Sequence, residues 1–279
     1  MENQCRNCHQ GHGLTPLFND HHVLKCHACS AYQFVGPISN VAELYTEDYY
    51  TGSEYINYEL ASPVYRMNFQ RKLEVMKKHL PELKYEEMRV LEIGSATGDF
   101  MQVLKDRGVS NILGVEASEF SRRRAGERGF RVIDPFEPEY PRLVREFAPN
   151  VICAWDVWEH LEYPGDIFRS LLAENPGVKL VSISTVDSGA LVPRLKGKKW
   201  RQFHPPTHIN YPTKKSFDIY FQTVGFRVIS NTAFGYYRPL ADYLSLVIKT
   251  EWLNKLPFLF KIPLLVNLFD IQMVVARRN

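Results

Sequence analysis

The sequence predicts an α/β protein, a doubly wound parallel sheet preceded by a small module that needs a metal to fold. Between residues 89 and 230 short β-rich runs alternate with helical segments, a pattern that implies crossover connections and a sheet covered on both faces. The first of those strands runs straight into a glycine-containing turn and then a helix, Val90-Leu91-Glu92-Ile93-Gly94-Ser95-Ala96-Thr97-Gly98-Asp99-Phe100. Ahead of the alternation, residues 1–36 carry two Cys-x-x-Cys pairs in a stretch too poor in apolar residues to build a core.

The bulk composition bounds the rest. A chain of 279 residues holds one large domain plus a small one, and 45% hydrophobic with 23% charged residues suits a globular protein with a full core. The net charge of +3 is too weak to require nucleic acid as a partner. Met1-Glu2-Asn3-Gln4 has neither a basic start nor an apolar run, and no stretch reaches the ~18 apolar residues of a spanning helix, so a cytoplasmic location is expected. The nearest approach is Tyr236–Phe269, which Asp242, Lys249, Glu251, Lys255 and Lys261 interrupt.

In chain order, Cys5/Cys8 and Cys26/Cys29 are separated by 17 residues and supply four thiolates, the donor set of a closed, tetrahedral, structural Zn²⁺ site. His9, His12, His21, His22 and His27 are superfluous once four sulfurs are present. The module (1–36) is expected to be independent, so that its loss leaves the remaining sheet folded. A polar, tyrosine-rich linker with a following helix fills 37–81: Ser62-Pro63 reads as N-cap and first helical residue, and Val64, Met67, Leu73, Met76 and Leu80 continue to the stop at Pro81. The third domain (82–279) has strands expected at 89–93, 111–116, 130–133, 151–155, 179–184, 226–230 and 272–276. Helices fit around 99–107, 118–128, 139–147, 164–174 and 213–223, and Cys153 falls within a buried strand.

The turn after the first strand is not a dinucleotide fingerprint, because Ala96 and Asp99 stand where G-x-G-x-x-G needs glycine. Its E-x-G-x-x-x-G form resembles motif I of class I methyltransferases, with Ala96 in place of the usual middle glycine, a change tolerable if Ala96 keeps a negative φ. Trp155-Asp156-Val157-Trp158-Glu159-His160-Leu161 resembles motif IV of the small-molecule, ubiquinone-pathway-like group of that family, and Gly225-Phe226 matches the later pattern. The resemblance spans about residues 88–234 and implies a seven-stranded, Rossmann-like sheet using S-adenosylmethionine. It implies cofactor contacts from Glu92, Gly94, Ser95, Ala96, Thr97, Gly98 and Asp156, and from Asp134 to the adenine amino group. Glu116 ends the second strand 22 residues after Gly94, close to the ~20 expected for a carboxylate that accepts hydrogen bonds from ribose hydroxyls.

Methyl transfer from a sulfonium is an in-line displacement that also requires removing the acceptor's proton, and imidazole suits that task. His208, then His160 and His204, are the candidate bases; holding loops together is the competing role for each. The run Trp200-Arg201-Gln202-Phe203-His204-Pro205-Pro206-Thr207-His208 resembles a loop of the same methyltransferase group, and the zinc module with Leu44–Tyr50 resembles bacterial methyltransferases of surface-glycan and secondary-metabolite pathways. Arg194, Lys196, Lys198, Lys199 and Arg201 form either a solvated loop face or a clamp for an anionic acceptor. The expected activity is O-methylation of a sugar-, lipid- or metabolite-type acceptor. An RNA methyltransferase is the first rival, but residues 1–36 have a formal charge of zero and motif IV lacks the Asn/Asp-Pro-Pro-aromatic form. A non-catalytic zinc-stabilised binding protein is the second. Residues 236–269 are too apolar for disorder and are expected to form a helical cap that walls the acceptor site, with a membrane-surface contact as the sharper version. The acceptor itself and the oligomeric state stay open.

Overall fold

The computed structural model describes residues 4–11, 13–37, 58–245 and 250–279; most of the expected linker (38–57), His12 and Lys249 lie outside them. Strands β4 (Arg89–Ile93), β5 (Asn111–Val115), β6 (Val132–Ile133), β7 (Val151–Trp155) and β8 (Leu180–Val186) are parallel, and β10 (Phe226–Ala233) and β13 (Ile271–Arg278) complete a seven-stranded sheet. Its order is β10-β13-β8-β7-β4-β5-β6, with β13 antiparallel to both neighbours. The chain reverses direction across the sheet between β4 and β7. Their carboxyl ends therefore diverge into a crevice, where α/β sheets bind ligands.

The sheet is legible from strand alternation. Val151, Cys153 and Trp155 of β7 join Val90, Phe100, Leu104 and Met273 in one core, while Ile152 and Ala154 face the other with Leu91, Phe168, Phe217 and Phe221. Both faces are covered, so the strand is apolar throughout and Cys153 is fully buried.

Helix α1 spans Tyr58–Lys78, starting four residues before the expected Ser62 cap and leaving Pro63 inside it. Tertiary packing overrides the cap signal: Ala61 is buried against Ala241, Leu253, Leu259 and Phe260. Downstream the positions 64, 68, 72, 76 and 80 form one stripe at i,i+4 spacing, and its polar members Asn68 and Lys72 are as buried as its apolar ones.

The N-terminal module shares a sheet with the large domain. Its strands β1 (Leu14–Leu17), β2 (Asp20–Cys26) and β3 (Tyr32–Phe34) are extended by β9 (Asn210–Tyr211), contributed by the large domain, with Tyr32 opposite Tyr211. The buried Trp158 indole N–H donates to Asn7 Oδ1 at 3.0 Å, and Thr213 Oγ1 donates to the Cys29 carbonyl at 2.7 Å. A segment with few apolar residues borrows its cover from the neighbouring domain, and so props the loops after β7 and before β9.

The 236–269 insertion is only partly helical. Strands β11 (Tyr236–Pro239) and β12 (Pro263–Val266) pair antiparallel around short helical turns at Leu240–Leu244, Thr250–Leu253 and Pro257–Lys261. Pro239 and Pro263 sit in the two paired strands and Pro257 opens the last short turn, so the helical turns stop short of the ribbon. Among the described residues no helix is long and apolar enough to cross a membrane.

Candidate active site

A cavity of about 790 Å³ occupies the crevice at the carboxyl ends of β4 and β7. Strand β4 itself supplies Glu92 and the turn after it Gly94, Ser95 and Ala96, the end of β5 supplies Glu116, and the loop after β7 supplies Asp156, Glu159 and His160. Lys72 enters from α1, His204 and His208 from the loop before β9, and Tyr236, Tyr237, Asp242, Tyr243 and Leu268 from the insertion, which lines one side of the cavity.

Gly94 has φ +70°, and a Cβ there would overlap Val157 Cγ2, so the residue must be glycine. Gly98 has φ +84° and begins helix α2 (Asp99–Asp106) behind the wall, with Phe130 2.9 Å from where its Cβ would lie. Thr97 is also behind the wall, its carbonyl accepting from Arg128 at 2.7 Å. Ala96 departs from the expectation: its φ is +44°, the left-handed region, because its N–H is held by Glu116 Oε2 at 2.9 Å. That conformation costs a non-glycine residue about 1–2 kcal/mol, which the Glu116 bond offsets.

Glu116 is 8% exposed, and its other oxygen accepts from Ser118 N at 2.9 Å. Burial raises its pKa against these bonds. Each oxygen keeps a second lone pair for a ligand. Asp134 is a correction. Arg122 binds its Oδ2 at 2.6 Å and the Phe136 N–H its Oδ1, while Pro135, not Asp134, lines the cavity. Of the basic run only Arg201 reaches the wall; Arg194, Lys196, Lys198 and Lys199 are exposed, which favours the solvated-face reading.

Residues 65–231 match the methyltransferase domain family. The chain belongs to that family. No curated protein sequence matches it significantly. Among solved structures, this methyltransferase is similar to magnesium protoporphyrin IX methyltransferase from Synechocystis PCC 6803 with bound SAH, at 11% identity over 85% of this chain and 100% of that one, with a TM-score of 0.53. A SAM-dependent methyltransferase from Archaeoglobus fulgidus follows at 16% identity over 75% and 94% of the two chains, with a TM-score of 0.48. The first of these likenesses shows the fold.

The cavity of the methyltransferase fits the cofactor the family implies. Glu92 is 2% exposed and its Oε2 is buried without a hydrogen-bond partner, so an ammonium group in the crevice would supply what it lacks. The glycine at 94 opens the backbone for close approach, and Glu116 offers its lone pairs where the second strand ends.

Deeper in, a quartet stands beneath the crevice, in which Asp156, expected from the sequence as a cofactor contact, gathers Lys72, Tyr236 and Ser184, which sequence reading missed. Lys72, 1% exposed, donates to Asp156 Oδ2 at 3.2 Å, Tyr236 OH donates to Asp156 at 2.7 Å, and Ser184 Oγ donates to Asp156 Oδ1 at 3.0 Å. Burial lowers the Lys72 pKa, and Asp156 opposes it. Burial alone would raise the Asp156 pKa; Lys72 and the Tyr236 bond hold it below the usual carboxylate range. Lys72 was findable: it is a charged residue on an otherwise apolar i,i+4 stripe. Tyr236 was not, since it joins only through the insertion's fold.

The three histidines converge. The ring centroids of His160 and His208 are 4.6 Å apart, and those of His204 and His208 3.8 Å. His160 Nδ1 donates to the Thr207 carbonyl and His208 Nδ1 to the Gln202 carbonyl, each at 2.9 Å. A carbonyl only accepts, so both rings carry their proton on Nδ1 and a lone pair on Nε2. Burial lowers the His160 pKa to about 4 and holds that of His208 well below normal, keeping both rings neutral.

In the module, Cys5, Cys8, Cys26 and Cys29 are all buried, with Sγ–Sγ separations of 3.8 Å for Cys5–Cys29 and Cys8–Cys26. That separation is the edge of a tetrahedron whose centre lies about 2.3 Å from each sulfur, the zinc–thiolate bond length. The donor set fits Zn²⁺.

Proposed function

We propose that this chain transfers the methyl group of S-adenosylmethionine to a hydroxyl oxygen of a small acceptor of sugar, lipid-linked or secondary-metabolite type. One continuous cavity carries the reading, because it joins the Glu92–Glu116 end to the three histidines under a wall of insertion residues. An acceptor seated there would lie between the cofactor and a set of imidazoles suited to handle its proton. The bound cofactor supplies an electrophilic methyl on a positively charged sulfur. The chain's residues orient the acceptor, exclude water beneath the insertion and manage the proton. A cavity of about 790 Å³ favours a small acceptor over a nucleic acid. Replacing Glu116 by Ala is expected to weaken S-adenosylmethionine binding by roughly 1.5–3 kcal/mol, the range for hydrogen bonds to a charged group. Calorimetry that gives unchanged affinity removes Glu116 from the site, and preferred binding of a nicotinamide cofactor by the parent protein overturns the reading.

Zinc in the four-cysteine site is part of the same proposal. Metal analysis should find about one zinc per chain, lost on Cys26→Ser. Because β3 pairs with β9 and Cys29 holds Thr213, the loss should also loosen 200–213, read as faster amide exchange there while the seven-stranded sheet stays protected. Exchange confined to 4–36 would show that the module props nothing.

The insertion exposes Trp252, Phe258, Leu264, Leu265 and Phe269, together with Lys255 and Lys261. Such a rim supports a lipid-linked acceptor met at a membrane surface. The protein should float with anionic vesicles, and Phe258→Asp/Leu265→Asp should stay at the bottom of the gradient. Parent protein that stays at the bottom rules the surface contact out.

A further inference from the structure

Between β8 and the loop that bears His204 and His208 the chain carries a block of like charge, most of it outside the cavity. From Ala190 to Arg201 it holds Arg194, Lys196, Lys198, Lys199 and Arg201 and no Asp or Glu. Arg201 meets Asp270 at 3.5 Å and Lys198 meets Asp20 at 3.2 Å. Arg194, Lys196 and Lys199 are exposed, with no carboxylate within ion-pair distance among the described residues. On the short helix Leu191–Lys196, Pro193 is buried, while Leu191, Arg194 and Leu195 share the outer face at i,i+3 and i,i+4 spacing. Leu191 is 69% exposed, and Leu195, at 77%, is the most exposed large apolar side chain among the described residues.

A solvated face accounts for the cations but not for two leucines projecting among them. A single exposed leucine is ordinary; two on one helical face, ringed by cations, form a patch. The block is also pinned beside the insertion. The Asp187 N–H donates to the Asp270 carbonyl at 2.8 Å and Trp200 Nε1–H donates to Asp270 Oδ2 at 2.8 Å, so both ends of the block are tied to one residue. That residue follows Phe269, itself 65% exposed. Arg201 and Asp270 both line the cavity, so the two exposed surfaces meet at its wall. A nucleic acid would offer phosphates to the cations, but its bases stack on exposed aromatic rings, and the one ring of the block, Trp200, is 2% exposed. Aliphatic side chains set among lysines and arginines fit an anionic bilayer, whose headgroups take the charge and whose acyl boundary takes the leucines.

We propose that the face carrying Leu191, Arg194, Leu195, Lys196 and Lys199 docks on a membrane surface rich in anionic lipid. So short a helix, with two leucines, is too small an anchor by itself. It acts as one of two contacts on the same body, the other being the insertion rim, and whichever forms second forms at high effective concentration. Because the two surfaces meet at Asp270, binding through both turns that wall of the cavity toward the bilayer. An acceptor carried in the lipid is then reached without leaving the membrane. The contact stands on the charge and the leucines; its use in turnover rests on the methyl-transfer reading above.

The probes are phosphatidylcholine vesicles with and without phosphatidylserine, presented to the full chain at low salt. The parent protein should partition onto the vesicles that contain phosphatidylserine. Lys196→Gln/Lys199→Gln should partition roughly 25-fold more weakly, about fivefold for each cation removed near an anionic surface. Leu191→Ser/Leu195→Ser should weaken partition as well, and since all four positions are exposed, both variants should keep the parent's fold and S-adenosylmethionine affinity. In the parent protein, tryptic cleavage after Arg194, Lys196 and Lys199 should slow with phosphatidylserine vesicles and not with phosphatidylcholine alone, an observation that needs no variant. Cleavage unchanged by either vesicle, or protection by single-stranded RNA in place of vesicles, overturns the proposal. So does partition equal to the parent's in both variants, which would leave the insertion as the membrane contact if Phe258→Asp/Leu265→Asp abolishes it. Vesicle binding without S-adenosylmethionine binding would instead sink the methyl-transfer reading and leave the contact standing.

Discussion

Lys72→Met is expected to destabilise the protein by about 3 kcal/mol, measured by urea denaturation. Methionine preserves most of the buried stem, so the change isolates the ammonium group. Removing one partner of a buried ion pair costs roughly 3–5 kcal/mol, because the other charge stays behind uncompensated. The lower end applies because Asp156 keeps 40% of its side chain open to the cavity, where water partly replaces the lost charge. Asp156→Asn in the same chain should recover most of the loss, since Tyr236 and Ser184 can still hydrogen-bond a neutral amide. A Lys72→Met protein as stable as the parent would mean that the pair contributes nothing net.

Gly94→Ala carries the second large expectation, a loss of roughly 2–5 kcal/mol together with most cofactor affinity. Left-handed backbone costs alanine about 1–2 kcal/mol. Overlap with Val157 adds about 1–3 kcal/mol of overpacking strain. The two components separate in Gly94→Ala/Val157→Ala, which should relieve the overlap and leave the backbone strain. Wild-type cofactor affinity in the single variant would show that the turn is not where the cofactor lies.

Most of the sheet was legible because each strand's burial is local in its pattern. Runs such as Val151–Trp155 are apolar throughout, and a strand covered on both faces needs that whatever its neighbours are. The turn from Gly94 to Gly98 was legible for a related reason, since close backbone approach demands small residues at fixed spacing. Asp134 was assigned to the adenine amino group by the family resemblance, which does not carry the Arg122 guanidinium, twelve residues earlier, that takes its carboxylate in this structure.

By itself the sequence determined the sheet, the turn that opens its crevice, the glutamate at the end of β5 and the four sulfurs, because backbone geometry and burial pattern encode these locally. Tertiary structure alone decided the rest. Lys72 meets Asp156 only when α1 crosses the sheet, and Tyr236 arrives only through the pairing of β11 with β12 in the insertion. Two loops 47 residues apart, at His160 and Thr207, close on one another and set which imidazole nitrogen keeps its lone pair. Pairwise contacts of that range depend on how elements pack, and no periodicity within one segment records them.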